Sequence, residues 1–146
     1  MNTLRKKISC LCAAALIALV SMGMGSMGSE DATRIPEVDE NYAATIVDQS
    51  DVSMVLHKLS FDGQTFLMGR LGKARVSVEF KKIRSVIFGL HHDDVRANVR
   101  LKNGGVVEID VDKRKPFFGE SDFAQVRIEA QDIKTIVFQG KAEGKN

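Results

Sequence analysis

The sequence predicts an all-β fold in which two similar antiparallel units close into one small barrel or sandwich. Three observations carry that reading. Residues 69–88 align without a gap on residues 119–138, at a constant offset of 50. Gly69/Gly119, Ala74/Ala124, Val76/Val126, Glu79/Glu129, Ile83/Ile133 and Phe88/Phe138 are identical, and Val78/Ile128, Arg84/Lys134, Ser85/Thr135, Val86/Ile136 and Ile87/Val137 are conservative. Internal self-similarity decides a fold reading more firmly than local propensity. In each copy apolar and polar residues alternate, in Val76-Ser77-Val78-Glu79-Phe80 and in Val126-Arg127-Ile128-Glu129-Ala130, which is the period of a strand with one face buried. Turn chemistry punctuates the runs at Asp62-Gly63 and at Asn103-Gly104-Gly105. Neither copy offers ten residues of clean helical periodicity.

The elements follow in chain order. Arg5, Lys6 and Lys7 form a basic start without acids, Leu11 to Val20 is an unbroken apolar run, and Ser21 to Ser29 is rich in Ser and Gly. Those are the three parts of a secretory signal peptide. The run is about half the ~20 residues a membrane-crossing helix needs. Cleavage after Gly23, Gly25 or Gly28 satisfies the small-residue rule, and residues 1–28 are taken as the signal. Cys10 and Cys12 leave with it and precede most of the apolar run, so no lipoprotein cysteine stands at the new N-terminus. The expected product is periplasmic or secreted, free of cysteine, and reliant on its core rather than on disulfides. The whole chain carries a formal charge of +2 from 21 basic and 19 acidic residues; losing three cations with the signal leaves −1. The mature chain offers no stable membrane span, and a net negative exported chain makes a poor nucleic-acid binder.

Residues 29–41 read as a polar leader and 140–146 as a flexible tail, flanking a single β domain over 42–139 whose repeats span 42–89 and 96–139. Tyr42 to Asp48 is the first strand. Asp62-Gly63 suits a two-residue type I′ turn, since both central positions need positive φ. The implied hairpin sets Phe61 opposite Gln64, Leu59 opposite Phe66 and His57 opposite Met68. For the second hairpin, parity demands a three-residue loop, because a slip of one residue swaps faces. Asn103-Gly104-Gly105 then pairs Arg100 with Glu108, Val99 with Ile109, Asn98 with Asp110 and Arg96 with Asp112. The runs Ser85 to Phe88 and Thr135 to Phe138 are read as further strands, each preceded by a short polar link carrying Ile83 or Ile133.

The pattern Phe61-Asp62-Gly63, Gly69, then Val76-x-Val78-x-Phe80-x-x-Ile83-x-x-Val86-x-Phe88 resembles that of small exported bacterial all-β proteins of unassigned function with a duplicated unit. The resemblance covers both repeats and implies an exported β domain; it brings no active-site residues.

Three constellations carry candidate chemistry. Lys113-Arg114-Lys115-Pro116-Phe117-Phe118 joins three cations to two aromatics, a surface able to grip an anionic polymer or lipid head group, and the partner expected of the module is an envelope protein or an anionic polymer. His91, His92, Asp93 and Asp94 supply first-row metal ligands in the linker between repeats. Glu108, Asp110 and Asp112 place carboxylates ~6.7 Å apart along one strand face, a spacing open to glycoside hydrolysis, but the cations expected opposite would keep them ionised and quiet. The mature chain has no cysteine nucleophile, Gly-x-Ser-x-Gly elbow or phosphate-cradling loop. The sequence therefore points to a non-enzymatic binding or interaction module of the cell envelope, with no catalytic residues and no cofactor. A metal-binding periplasmic protein is the second reading and a carbohydrate-active enzyme the third.

Overall fold

The computed structural model describes residues 34–141, so the signal segment 1–28, the start of the leader and the end of the tail lie outside the described residues. Ten strands follow one another: β1 Tyr42–Asp48, β2 Ser53–Phe61, β3 Phe66–Leu71, β4 Ala74–Glu79, β5 Ile83–His91, β6 Asp94–Leu101, β7 Val106–Val111, β8 Pro116–Glu120, β9 Gln125–Glu129 and β10 Ile133–Lys141. Single 3-10 turns, Phe80–Lys82 and Ala130–Asp132, stand at the polar links before β5 and β10. All neighbours pair antiparallel, in one curled half-barrel sheet of order β4-β3-β7-β6-β5-β10-β1-β2-β8-β9. The all-β antiparallel fold class is as predicted, and strand β1 has the predicted limits.

The order reads the same when β1–β5 are exchanged for β6–β10 and the list is reversed. At its centre β5 and β10 pair as Ile87↔Thr135, Val86↔Ile136 and Ser85↔Val137, a register that the offset of 50 maps onto itself. The halves are not neighbouring modules, however. Hairpin β3–β4 joins β7 of the other half, and hairpin β8–β9 joins β2.

This interleaving corrects the first hairpin. The turn itself is as expected: Asp62 and Gly63 have φ of 51° and 80°, and Phe61 and Gln64 exchange backbone hydrogen bonds of 2.8 and 2.9 Å. Pairing stops there, at one isolated bridge. Leu59 does not face Phe66, nor His57 Met68, because β8 occupies that flank of β2 with Phe61↔Phe117, Ser60↔Phe118 and His57↔Glu120. The second hairpin forms, with every partner shifted by two residues: Arg96↔Asp110, Ala97↔Ile109, Asn98↔Glu108, Val99↔Val107 and Arg100↔Val106. Its loop turns one residue earlier than predicted, closed by Leu101 N–H on the Gly105 carbonyl at 2.8 Å and Gly104 N–H on the Leu101 carbonyl at 3.1 Å. Gly104, at φ 93°, supplies the positive φ such loops require. Parity survives the shift, so the polar face stays polar.

The core fills the concave side of the sheet. Ile46, Leu56, Leu59, Ile83, Val99, Val111, Ile133 and Ile136 are wholly buried. Phe117 packs on Phe61 and Phe88 with ring centroids 4.8 and 5.9 Å apart, and Phe80 sits between Phe138 at 4.9 Å and Tyr42 at 5.7 Å. Buried aromatic side chains dominate a core of this size through area and edge geometry. Ile83 and Ile133, the apolar residues of the polar links, each begin a strand fully buried.

Candidate functional site

The interleaving builds one groove of about 630 Å³ where β3, β4, the start of β6, the end of β7 and the approach to β8 converge. The end of β3 and the middle of β4 bring Arg70, Arg75 and Ser77 to it, and β6 and β7 contribute Asp94 and Asp110. Asp112 and Lys115 complete its polar wall, and Phe61, Met68 and Val76 give it an apolar floor. Three cations thus face three carboxylates. Arg70 pairs with Asp94, Arg96 holds Asp110 through Nε at 3.2 Å, and Lys115 reaches Asp62. Arg75 makes no ion pair among the described residues. Backbone crowding shapes the wall: a Cβ at Gly69 would stand 2.7 Å from the Asp110 carbonyl oxygen, so only glycine lets β3 lie this close to β7.

The expected basic-aromatic surface is dismantled by the fold. Phe117 is 1% exposed and belongs to the core, since β8 alternates its faces and Phe117 and Gly119 point inward. Of Lys113, Arg114, Lys115, Phe117 and Phe118, only Lys115 reaches the groove. The Arg114 N–H instead donates to Asp112 Oδ1 at 3.0 Å in a tight turn.

Residues His91–Asp94 form a two-residue hairpin turn, with His91↔Asp94 paired and His92 at φ 55°. The imidazoles meet edge to face at 4.4 Å, His91 Nδ1 lies 3.3 Å from the Arg96 guanidinium, and Asp94 turns away to Arg70. His91, His92, Asp93 and Asp94 are therefore not brought together as a ligand set, and among the described residues no three His, Cys, Asp or Glu side chains converge in a metal-holding cluster. A neighbouring guanidinium also disfavours a cation. The carboxylates of β7 are likewise engaged: Glu108 accepts from Asn98 at 3.3 Å and Asp110 from Arg96. Acids face a cation and an amide across the hairpin, but not the expected partners: Asp110 takes Arg96 and Glu108 takes Asn98, while Arg100 stands opposite Val106 and Asp112 lies outside the ladder. Ser60, a buried hydroxyl, has no hydrogen-bond partner among the described residues.

Elsewhere, titration is perturbed at the periphery. Tyr42 is pushed up to about 12 by burial and then by its hydrogen bond to Glu40; the same bond, 2.7 Å long, holds Glu40 below its usual value. Glu79 is lowered by hydrogen bonds from Lys81 and Lys82, and Lys81 is raised by the same contact. No helix among the described residues is long and apolar enough to cross a membrane.

The sequence offered a partial signal for this site. Arg75 and Ser77 stand at outward positions of a recognisable alternation, but their convergence with Asp94 and Asp110 depends on a hairpin crossing between halves.

A family model whose description reads "Uncharacterised protein" matches residues 38–141, and the chain belongs to that family. No curated protein matches, and no solved structure matches.

Proposed function

We propose that this family member is an exported, non-enzymatic binding module of the cell envelope, and that its ligand surface is the groove between β3–β4 and β6–β7. The observation that carries the reading is the groove's charge balance: Arg70, Arg75 and Lys115 face Asp94, Asp110 and Asp112 around an apolar floor. A polyanion would meet as many repulsive as attractive groups there. A protein segment carrying both signs and an apolar residue is complementary to it, so an envelope protein is favoured over an anionic polymer. Arg75 makes no ion pair among the described residues and offers its guanidinium at the rim. The basic, apolar and small-residue parts of residues 1–28 supply the export address, and the internally repeated β unit supports placing the protein with the small exported all-β proteins it resembles.

Two measurements test this. Cross-linking capture from envelope fractions with wild type, with Arg70→Ala/Arg75→Ala, and with Lys113→Ala/Arg114→Ala should retain one partner in the first and third and lose it in the second. Capture unaffected by the groove substitutions sinks the groove. Mass spectrometry of the exported protein should find Gly23, Gly25 or Gly28 as the last residue removed; a retained Met1 sinks the address.

A further inference from the structure

Among the described residues the sheet ends at two open edges, β4 on one side and β9 on the other. They occupy equivalent places in the two halves and show the same alternation of exposed and half-buried residues. In β4 the residues Ala74, Val76 and Val78 face Leu71, Gly69 and Leu67 of β3 across a two-residue turn. Antiparallel alternation then points the backbone N–H and C=O groups of Arg75, Ser77 and Glu79 outward. The matching register of β9 against β8 leaves Gln125, Arg127 and Glu129 with outward groups.

The edges differ in charge. Residues 72–82 hold Lys73, Arg75, Lys81 and Lys82 against Glu79, a formal +3. The equivalent residues 122–132 hold Asp122, Glu129 and Asp132 against Arg127, a formal −2. Lys81 and Lys82 already share Glu79 at 2.5 and 3.3 Å, so the β4 edge presents a cationic front.

We propose that β4 of one copy pairs antiparallel with β9 of a second copy, continuing the sheet from molecule to molecule. Laying Ser77 opposite Arg127 pairs all three outward-facing residues of each edge with one another. The same register sets Arg75 across from Glu129 and Lys82 across from Asp122, with no like charges opposed. The alternatives are penalised. β4 against β4, centred on Ser77, pairs Arg75 with Glu79 but sets Lys73 against Lys81 and brings two fronts of formal +3 together. β9 against β9, centred on Arg127, opposes Arg127 to its own copy and Asp122 to Asp132. Like charges directly opposite destabilise a strand pair. The contact is head to tail, so it does not stop at two copies unless the rotation closes a ring. It also places the next copy beside Arg75 and Ser77 at the rim of the groove, although it does not depend on the groove binding anything.

Sedimentation velocity of the purified protein over a hundredfold concentration range tests the pairing. Wild type should form species beyond the dimer as concentration rises and should shift toward monomer at high salt, since exposed charges are screened. Arg75→Glu should raise the concentration needed for association at least tenfold, and Arg75→Glu/Glu129→Arg should restore it. Circular dichroism of each variant separates loss of association from loss of fold, and the restored double variant is itself proof of folding. A monomer at every concentration overturns the proposal. So does a species that stops at the dimer and ignores Arg75→Glu, which would mark an isologous contact, or a double variant that fails to recover.

Discussion

Tyr42 is the chain's single tyrosine, and the chain has no tryptophan, so phenolate absorbance reports on this residue alone. Its ring lies buried against Phe80 with the hydroxyl on Glu40. Deprotonation would leave a buried phenolate beside a carboxylate. An alkaline titration should therefore show a midpoint near 12 in the folded protein and near the ordinary ~10 in urea. The sign follows from proton linkage. Between those two values the native state holds the proton and the unfolded state does not, so stability is intact below about 10 and falls as pH rises toward 12. The loss is at most about 3 kcal/mol, since two tenfold changes in proton affinity are worth roughly 1.4 kcal/mol each. Glu40 behaves in the opposite sense. Its lowered value stabilises the fold above the usual carboxylate range, and that contribution disappears as the solution is acidified through it. Tyr42→Phe should return Glu40 toward an ordinary carboxyl. A folded midpoint near 10 would show that the ring is not held as described.

At the scale of elements, the glycines that recur in both halves acquire a cause. Gly69 on β3 and Gly119 on β8 are the points where each crossing hairpin meets the other half: a Cβ would lie 2.7 Å from the Asp110 carbonyl oxygen in one case and 2.9 Å from Leu56 Cβ in the other. Gly69→Ala and Gly119→Ala should each destabilise the protein by about 1–3 kcal/mol through overpacking, read as a lower urea midpoint. An unchanged midpoint would mean that the hairpins do not cross where described. The same junctions mark the limit of what the sequence makes legible. The limits of β1, the Asp62-Gly63 turn and the parity of β6 against β7 rest on local chemistry and can be read from a few neighbouring residues, whereas β5 and β10 run beyond the expected Ser85–Phe88 and Thr135–Phe138 and take in Ile83 and Ile133 from the links. Partner choice is non-local. After one bridge at Phe61–Gln64, β2 can continue along β3 or accept β8, and the two outcomes bury similar faces. The glycine that admits β8 lies 63 residues beyond Leu56. The groove suffers the same loss of legibility because it exists only after the crossing, and the Lys113–Phe118 segment misleads because its aromatics answer to the alternation of β8 rather than to the cations before them.

For the whole molecule, crossing makes the halves interdependent. Of the nine strand pairings in the sheet, five join one half to the other: β3–β7, β6–β5, β5–β10, β10–β1 and β2–β8. Divided at the His92–Asp93 turn, the first half would retain only the hairpins β1–β2 and β3–β4, with β5 unpaired. The second would retain β6–β7 and β8–β9, with β10 unpaired. Isolated two-stranded hairpins are marginal in water, and neither half keeps the central β5–β10 pair that the core wraps around. Fragments 34–92 and 93–141 should therefore each lack a cooperative unfolding transition when alone. Mixed in equal amounts they should recover the strand signature and a single cooperative melt, slowly, because every crossing pair, the β5–β6 hairpin included, must then be made between separate chains. Circular dichroism of the separate and mixed fragments decides the matter. If either fragment melts cooperatively by itself, the halves are self-sufficient modules, the hairpins belong to their own half, and both the groove and the pair of unlike edges would have to be redrawn.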